Sequence, residues 1–205
     1  MNSLLIHGCY DPITLKALKE LGVKDFAFDL RAKSLNLIPF KILDSLITQV
    51  EGRVFLVFEN DRHSTITSTL DLLKQTGKSF TLIFRDLGTF DYYQEVEVPF
   101  FWMFHPAGDW RTILTAKNLQ GLFLPLKWQD DYQKYPELWK FIEKRHLEVY
   151  LHAENFEEAL IPDLDLGLNL SIDLSSEVEA EYRLVDQKKL KEMKIWRKLN
   201  ESSAL

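Results

Sequence analysis

The stretch LSIDLSSEVE, residues 170–179, is the part of the sequence that best indicates the fold. It begins as a short apolar run without glycine or proline, which is typical of a β-strand. It ends in two hydroxyls, Ser175 and Ser176, followed by the carboxylates of Glu177 and Glu179. Residues 186–199 then have the charges and apolar spacing of a final helix. A strand that ends in polar groups and leads into a last helix is typical of the closing unit of a β/α barrel.

The chain before this stretch repeats the same strand and helix alternation. Eight apolar runs are predicted as strands, at residues 4–7, 26–30, 53–58, 80–84, 100–104, 121–126, 147–151 and 168–174. Eight helices are predicted between and after them, at 13–21, from 39 through 47, at 64–75, 91–95, 109–116, 136–145, 155–160 and 186–199. Solid apolar strands alternating with helices predict an α/β fold with a parallel sheet covered by helices.

Eight such units favour a closed (β/α)8 TIM barrel, formed as one domain by residues 1–205 and near the minimum size for this fold. The alternative is an open doubly wound sheet. That architecture commonly places a glycine-rich phosphate loop after its first strand, and no such loop follows residues 4–7 here.

Composition excludes several classes of function. A hydrophobic content of 46% supports a substantial core, and a net charge of −6 argues against a nucleic-acid partner. The sequence has no apolar run of about 18 residues, so no membrane span is expected, and its first residues do not have the pattern of a signal peptide. A single cysteine, Cys9, leaves no internal disulfide. Together these features predict a cytoplasmic protein.

Polar residues at the predicted strand ends are the candidates for chemistry, because barrel enzymes place their active site at the carboxyl ends of the strands. These positions carry three of the five histidines together with carboxylates, basic residues and hydroxyls: His7, Cys9, Asp29, Glu59, Arg85, Asp86, His105, Lys127, His152, Glu154, Ser175, Ser176 and Glu177.

Three motifs resemble those of phosphoribosylanthranilate isomerase, the barrel enzyme of tryptophan synthesis. Residues 6–8, IHG, stand where the family has Ile-Cys-Gly, and residues 27–34, AFDLRAKS, resemble Gly-Phe-x-Phe-x-Pro-Lys-Ser. Residues 172–179, IDLSSEVE, resemble Val-Asp-Val-Ser-Ser-Gly-Val-Glu, and residues 186–190 fit the start of the family's last helix. The resemblance spans nearly the whole chain at low identity.

This resemblance implies an Amadori rearrangement, in which an acid opens the ribose ring and a base removes the C2 proton. His7 takes the place of the family's cysteine base, and Cys9 lies two residues further on. Histidine has an ordinary pKa near 6.5 and can act as a base at neutral pH. Pro125 stands where the family has its acid, and Asp130 is among the nearest carboxylates. Asn36 replaces the family's arginine.

The resemblance and the strand-end positions together predict six ligand-binding residues: Asp29, Lys33, Ser34, Arg85, Ser175 and Ser176. The phosphate site departs from the family. Glu154 and Glu177 stand where the family has glycines that bring backbone amides close to the phosphate. Carboxylates at these two positions repel a phosphate dianion. The predicted phosphate site is therefore eroded.

The sequence is compatible with three functions. The first is isomerisation of a phosphoribosyl amine, a small sugar phosphate, without cofactor or metal, by a monomer or homodimer. The second is a barrel that has lost catalysis and serves as a binding or interaction protein. The third is a metal-dependent hydrolase using His7, His105 and His152 with Asp29 or Glu59, residue types that suit zinc. No His-x-His motif accompanies these three histidines.

Overall fold

A computed structural model describes residues 3–32, 34, 37–59, 61–126, 134–154, 169–174, 179–181 and 184–185 of the chain. Its central feature is a closed barrel of eight parallel strands. The strands are β1 Leu4–His7, β2 Asp25–Asp29, β3 Val54–Phe58, β4 Phe80–Phe84, β5 Phe100–Met103, β6 Leu119–Pro125, β7 Glu148–Ala153 and β8 Asn169–Asp173. Each strand pairs with the next along the chain, and β8 pairs with β1. The predicted TIM barrel is confirmed.

In the part of the chain that the structure describes, six α-helices follow strands: α1 Pro12–Glu20, α2 Phe40–Gln49, α3 His63–Leu73, α4 Phe90–Gln94, α5 Trp110–Ile113 and α6 Pro136–Arg145. Their bounds agree with the predicted helices to within two residues, except that α5 ends at Ile113, three residues early. The predicted helices at 155–160 and 186–199 lie outside the described residues. A short antiparallel pair, β9 Glu179–Glu181 and β10 Leu184–Val185, follows the barrel and was not predicted.

Local sequence signals explain where the helices begin. Asp11 precedes α1 in extended conformation, and its carboxylate accepts hydrogen bonds from the Ile13 and Thr14 amides, both at 2.8 Å. Proline occupies the first turn of α1 and of α6, where its missing N–H and fixed φ suit a helix start. In the described part of the chain, no helix has the length and apolarity needed to cross a membrane.

The barrel has two hydrophobic cores because side chains alternate between its two faces. The larger core lies between the strands and the helices. The smaller one fills the barrel interior with residues at every second strand position: Leu5, Ala27, Phe55, Val57, Ile83, Phe101, Met103, Phe123 and Tyr150. Three aromatic rings, from Phe101, Phe123 and Tyr150, pack against one another in that interior with centroids 5.1–5.9 Å apart. The interior is therefore a packed core, and chemistry is confined to the barrel ends.

Arg53 organises the amino-terminal end of the barrel. Its guanidinium lies 3.0 Å from an Asp25 carboxylate oxygen and 2.8 Å from an oxygen of Glu148, and it also contacts the Tyr150 hydroxyl. These partners come from β2 and β7, so one side chain joins opposite parts of the barrel wall. Partial burial lowers the pKa of Arg53, but the hydrogen bond to Glu148 and the nearby negative charges outweigh burial and raise that pKa.

Replacing Arg53 with alanine is expected to lower the free energy of unfolding by about 2 kcal/mol, because it leaves Asp25 and Glu148 without their shared cation. The figure is below that for a fully buried pair because the Arg53 side chain is 41% exposed. Urea unfolding of the wild-type protein and of Arg53→Ala measures this difference in the free energy of unfolding. Arg111→Ala is the control, since Arg111 pairs with Glu137 in solvent and should cost under about 1 kcal/mol. Equal losses in the two variants would contradict the role given to Arg53.

Candidate functional site

The carboxyl end of the barrel carries a compact set of polar side chains. Five of them lie at inward-facing positions of β1, β2, β7 and β8, and Arg85 follows β4 directly. The set is His7, Asp29, Arg85, His152, Ser171 and Asp173. Four of them are almost completely buried, with His152 and Ser171 at 0%, His7 at 3% and Asp29 at 7% exposure. Buried polar groups require hydrogen-bonding partners, and those partners define the site.

Ser171 lies between two histidines. Its hydroxyl oxygen is 2.8 Å from Nε2 of His7 and 3.1 Å from Nδ1 of His152, which is hydrogen-bonding distance in both cases. The two imidazole rings meet edge to face, with centroids 5.1 Å apart, and Phe123 packs against both. The three polar side chains therefore form one continuous hydrogen-bonded chain at the top of the apolar interior.

Burial sets the charge state of His7. Desolvation lowers its pKa from 6.5 to about 4, and the cations of Arg85 and Arg31 act in the same direction. The carboxylates of Asp173 and Asp29 oppose this effect but do not cancel it. His7 is therefore neutral at physiological pH, with one ring nitrogen able to accept a proton.

Asp173 and Arg85 form an ion pair across the mouth of the barrel. Nη1 of Arg85 lies 3.3 Å from Oδ2 of Asp173, and both side chains are largely shielded from solvent, at 18% and 13% exposure. Asp173 aligns with His7 in the β8–β1 register, so its carboxylate stands beside that imidazole. The pair gives the site fixed charges of both signs next to a neutral base.

A second carboxylate is held by its own loop. The two oxygens of Asp29 accept hydrogen bonds from the Arg31 guanidinium at 2.9 and 2.5 Å, and Ser34 donates a third at 2.6 Å. Burial raises the pKa of Asp29, but these hydrogen bonds outweigh burial and hold that pKa below its usual range. Arg31 also lies 3.8 Å from Glu59. Asp29 is therefore an ionised group already engaged by Arg31 and Ser34.

Cys9 lies outside this constellation. It is completely buried in the core between the strands and the helices, and burial raises the pKa of its thiol. Gly8 explains the separation from His7: its φ of 81° turns the chain directly after β1, so the strand alternation does not continue to Cys9. The predicted catalytic thiol is thus a protonated core side chain.

The structure does not group His105 with His7 and His152 in a metal site. Nδ1 of His105 accepts a hydrogen bond from the Ala107 amide in the loop after β5. Among the side chains that the structure describes, no three histidine, cysteine, aspartate or glutamate residues are grouped so as to hold a metal ion. The paired rings of His7 and His152 share a serine instead.

The fold of this chain is similar to that of several solved structures. The phosphoribosylanthranilate isomerase of Thermus thermophilus is 18% identical, with a TM-score of 0.66 over 97% of this chain and 98% of that one. Monomeric forms of the dimeric phosphoribosylanthranilate isomerase of Thermotoga maritima are 15% identical, with a TM-score of 0.66 over 93% and 95% of the chains.

The chain has the fold of the phosphoribosylanthranilate isomerases. Another such isomerase, in complex with reduced 1-(o-carboxyphenylamino)-1-deoxyribulose 5-phosphate, is 15% identical with a TM-score of 0.64 over 93% of this chain and 95% of that one. No protein-family model matches the chain, and no curated protein sequence does. At these identities the likeness establishes the fold, and function has to be argued from the site.

The predicted site residues divide into three groups. His7, Asp29, Ser34 and Arg85 lie at the carboxyl end of the barrel, each with a described polar partner. Cys9 is in the outer core. Lys33, Asp130, Ser175 and Ser176 lie outside the described residues, as do Asn36 and Glu177.

The sequence-based site prediction missed Ser171, Asp173 and the part played by His152. Ser171 and Asp173 alternate with buried Leu170, Ile172 and Leu174, so two polar residues share the face of β8 that points into the barrel. That period-two pattern is visible in the sequence and identifies both. The pairing with His152 depends on the β7–β8 register, which a single strand does not reveal.

The low pKa of His7 predicts a pH-dependent stability. The unfolded chain binds a proton on His7 near pH 6.5, and the folded chain does so only near pH 4. Between these values the unfolded state holds more protons, so the free energy of unfolding falls as pH drops from 6.5 to 4, by roughly 3 kcal/mol from this group. Denaturant unfolding at pH 7 and pH 4 measures this fall in the wild-type protein and in His7→Gln. The fall in the free energy of unfolding should be smaller in His7→Gln by that amount. The same loss in both proteins would refute the low pKa.

Proposed function

We propose that the protein is an isomerase of the phosphoribosylanthranilate isomerase type, acting on a phosphorylated ribosylamine as in tryptophan synthesis. The observation that carries the proposal is the state of His7. It ends the first strand of this barrel, at the position where the resemblance places the family's base, and it is neutral, buried and anchored through one ring nitrogen. The likeness over 97% of the chain to an isomerase barrel supports the same assignment.

His7 would serve as the base for the C2 proton. Opening of the ribose ring breaks the C1–oxygen bond and forms a cationic C1–nitrogen double bond, which acidifies C2. His7 accepts the C2 proton, and the electrons of that C–H bond form the enolamine, which tautomerises to the ketone. A pKa of about 4 makes His7 a weak base in the free protein, and the Asp173 carboxylate beside it favours the imidazolium as it forms.

The acid that protonates the ring oxygen is the least conventional part of the site. Pro125 ends β6 and has no proton to give, and it aligns with His152 of β7. Asp29 is kept ionised by Arg31 and Ser34, so it does not suit the role. We assign the acid to Asp130, one of two neighbouring aspartates, with Asp131, in the segment after β6. Asp130→Asn is the variant that removes it.

The test is turnover of phosphoribosylanthranilate by purified protein, followed by chromatography of substrate and product. We expect measurable turnover, and His7→Gln should lower kcat by about 10²–10⁴, the usual contribution of a general base. His63→Gln is the matched histidine control, and it should leave kcat unchanged. His63 begins α3 outside the barrel, where its ring packs against that of Tyr92. A well-folded wild-type protein without turnover would reject the proposal.

The second candidate is a barrel that binds an anionic or zwitterionic small molecule without converting it. Two observations favour it: Pro125 at the end of β6, and the engagement of Arg31 and Arg85 by carboxylates of the protein itself. Thermal unfolding with phosphate and with the reduced ribulose phosphate analogue separates the candidates, since ligands of the native state raise Tm. Stabilisation by the analogue without turnover would favour binding alone. An unchanged Tm with both ligands would argue against either function.

A further inference from the structure

The hydroxyl of Ser171 has one proton and lies between two imidazole nitrogens. At 2.8 Å from His7 Nε2 and 3.1 Å from His152 Nδ1, it donates to one ring and accepts from the other. A neutral imidazole carries a proton on one nitrogen only. The direction in which the Ser171 hydroxyl points therefore fixes the tautomers of both histidines together.

Two arrangements satisfy both hydrogen bonds. In the first, His7 Nε2–H donates to Ser171, and Ser171 donates to a bare Nδ1 of His152. In the second, His152 Nδ1–H donates to Ser171, and Ser171 donates to a bare Nε2 of His7. The first arrangement puts both ring protons on Nε2, the position that neutral imidazoles prefer, whereas the second puts both on Nδ1. Because both rings prefer the Nε2–H tautomer, the first arrangement is favoured.

We propose that Ser171 and His152 are positioning residues for His7, holding it in the tautomer whose Nδ1 is bare. Because Nε2 of His7 is taken by Ser171, Nδ1 is the nitrogen left to meet a substrate. In the first arrangement that nitrogen carries a lone pair and accepts a proton. In the second it carries a hydrogen and has no basic function.

This inference rests on the proposed function, and the proton balance supports it. When Nδ1 of His7 takes the C2 proton of a substrate, its Nε2 proton is free to move to Ser171, whose own proton moves to Nδ1 of His152. His7 is then neutral again with its hydrogen on Nδ1, and His152 holds the positive charge one ring further from the substrate cation. Nothing is oxidised or reduced, and one proton has been relayed between groups already in contact.

The surroundings suit such a relay. His7, His152 and Ser171 are at most 3% exposed, so water does not compete for their hydrogen bonds. The charged groups that act on His7 are Asp173 and Asp29, which favour its protonation, and Arg85 and Arg31, which oppose it. Asp173 and Arg85 are paired with each other, as are Asp29 and Arg31. These pairs keep the charges fixed while the proton moves.

Nitrogen-15 NMR of histidine-labelled protein at pH 7 tests the tautomer directly, because protonated and bare ring nitrogens have different chemical shifts. His7, assigned through His7→Gln, is expected in the Nε2–H form in the wild-type protein. Finding it in the Nδ1–H form would overturn the inference without any activity measurement.

Two substitutions at His152 provide a matched pair. His152→Asn places an amide oxygen near the position of Nδ1 and retains an acceptor for Ser171, so His7 should stay in the Nε2–H form. His152→Leu removes the acceptor, and the Ser171 hydroxyl then turns to His7 and shifts it to the Nδ1–H form. A Leu variant that folds but leaves the His7 tautomer unchanged would contradict the proposal, and the wild-type measurement still decides if that variant does not fold.

Turnover completes the test. With the substrate of the proposed reaction, His152→Leu should lower kcat roughly ten- to a hundredfold, below the full contribution of a general base. KM should change little. His152→Asn keeps the His7 tautomer but cannot take the relayed proton, so its kcat should lie between those of the wild-type protein and His152→Leu. A flipped tautomer with unchanged kcat would overturn the positioning role. Absence of turnover in the wild-type protein, with His7 in the expected tautomer, would instead reject the proposed function.

Discussion

The pairing of β8 with β1 is the contact on which the rest of the molecule depends. It joins residues more than 160 positions apart, from Leu4 against Leu170 to His7 against Asp173, and closes the sheet into a barrel without edges. An unclosed sheet would expose unpaired backbone groups along both edge strands. The same register brings His7 beside Ser171 and Asp173. Closure of the fold and assembly of the candidate site are therefore one event.

Closure also decides which polar groups are buried. The interior of a small barrel is filled by side chains, so a polar residue on an inward position must be paired. At the amino-terminal end Arg53 supplies that pairing for Asp25 and Glu148. At the carboxyl end His7 and His152 share Ser171, Asp29 pairs with Arg31, and Asp173 pairs with Arg85. The apolar layers between the two ends keep these networks apart.

The strands were predictable because the strands of a parallel barrel are apolar on both faces and stand out as solid runs. His7, Asp29 and Arg85 were predictable because strand ends converge at one mouth. Cys9 lies in the outer core, away from His7, because one glycine with positive φ redirects the chain, a backbone effect that residue type alone does not fix. The serine between His7 and His152 was missed because it depends on two strand registers at once.

The charge pattern at the mouth limits what the site can hold. A phosphate approaching Arg31 or Arg85 has to compete with Asp29 or Asp173, whose oxygens already occupy each guanidinium at 2.5–3.3 Å. A ligand that carries a positive and a negative charge close together can face both the aspartate and the arginine of a pair without separating them. The ring-opened intermediate of an Amadori rearrangement has this character, with a cationic imine close to the base. The charge arrangement is therefore compatible with the proposed isomerisation, whereas it disfavours a site that binds phosphate alone.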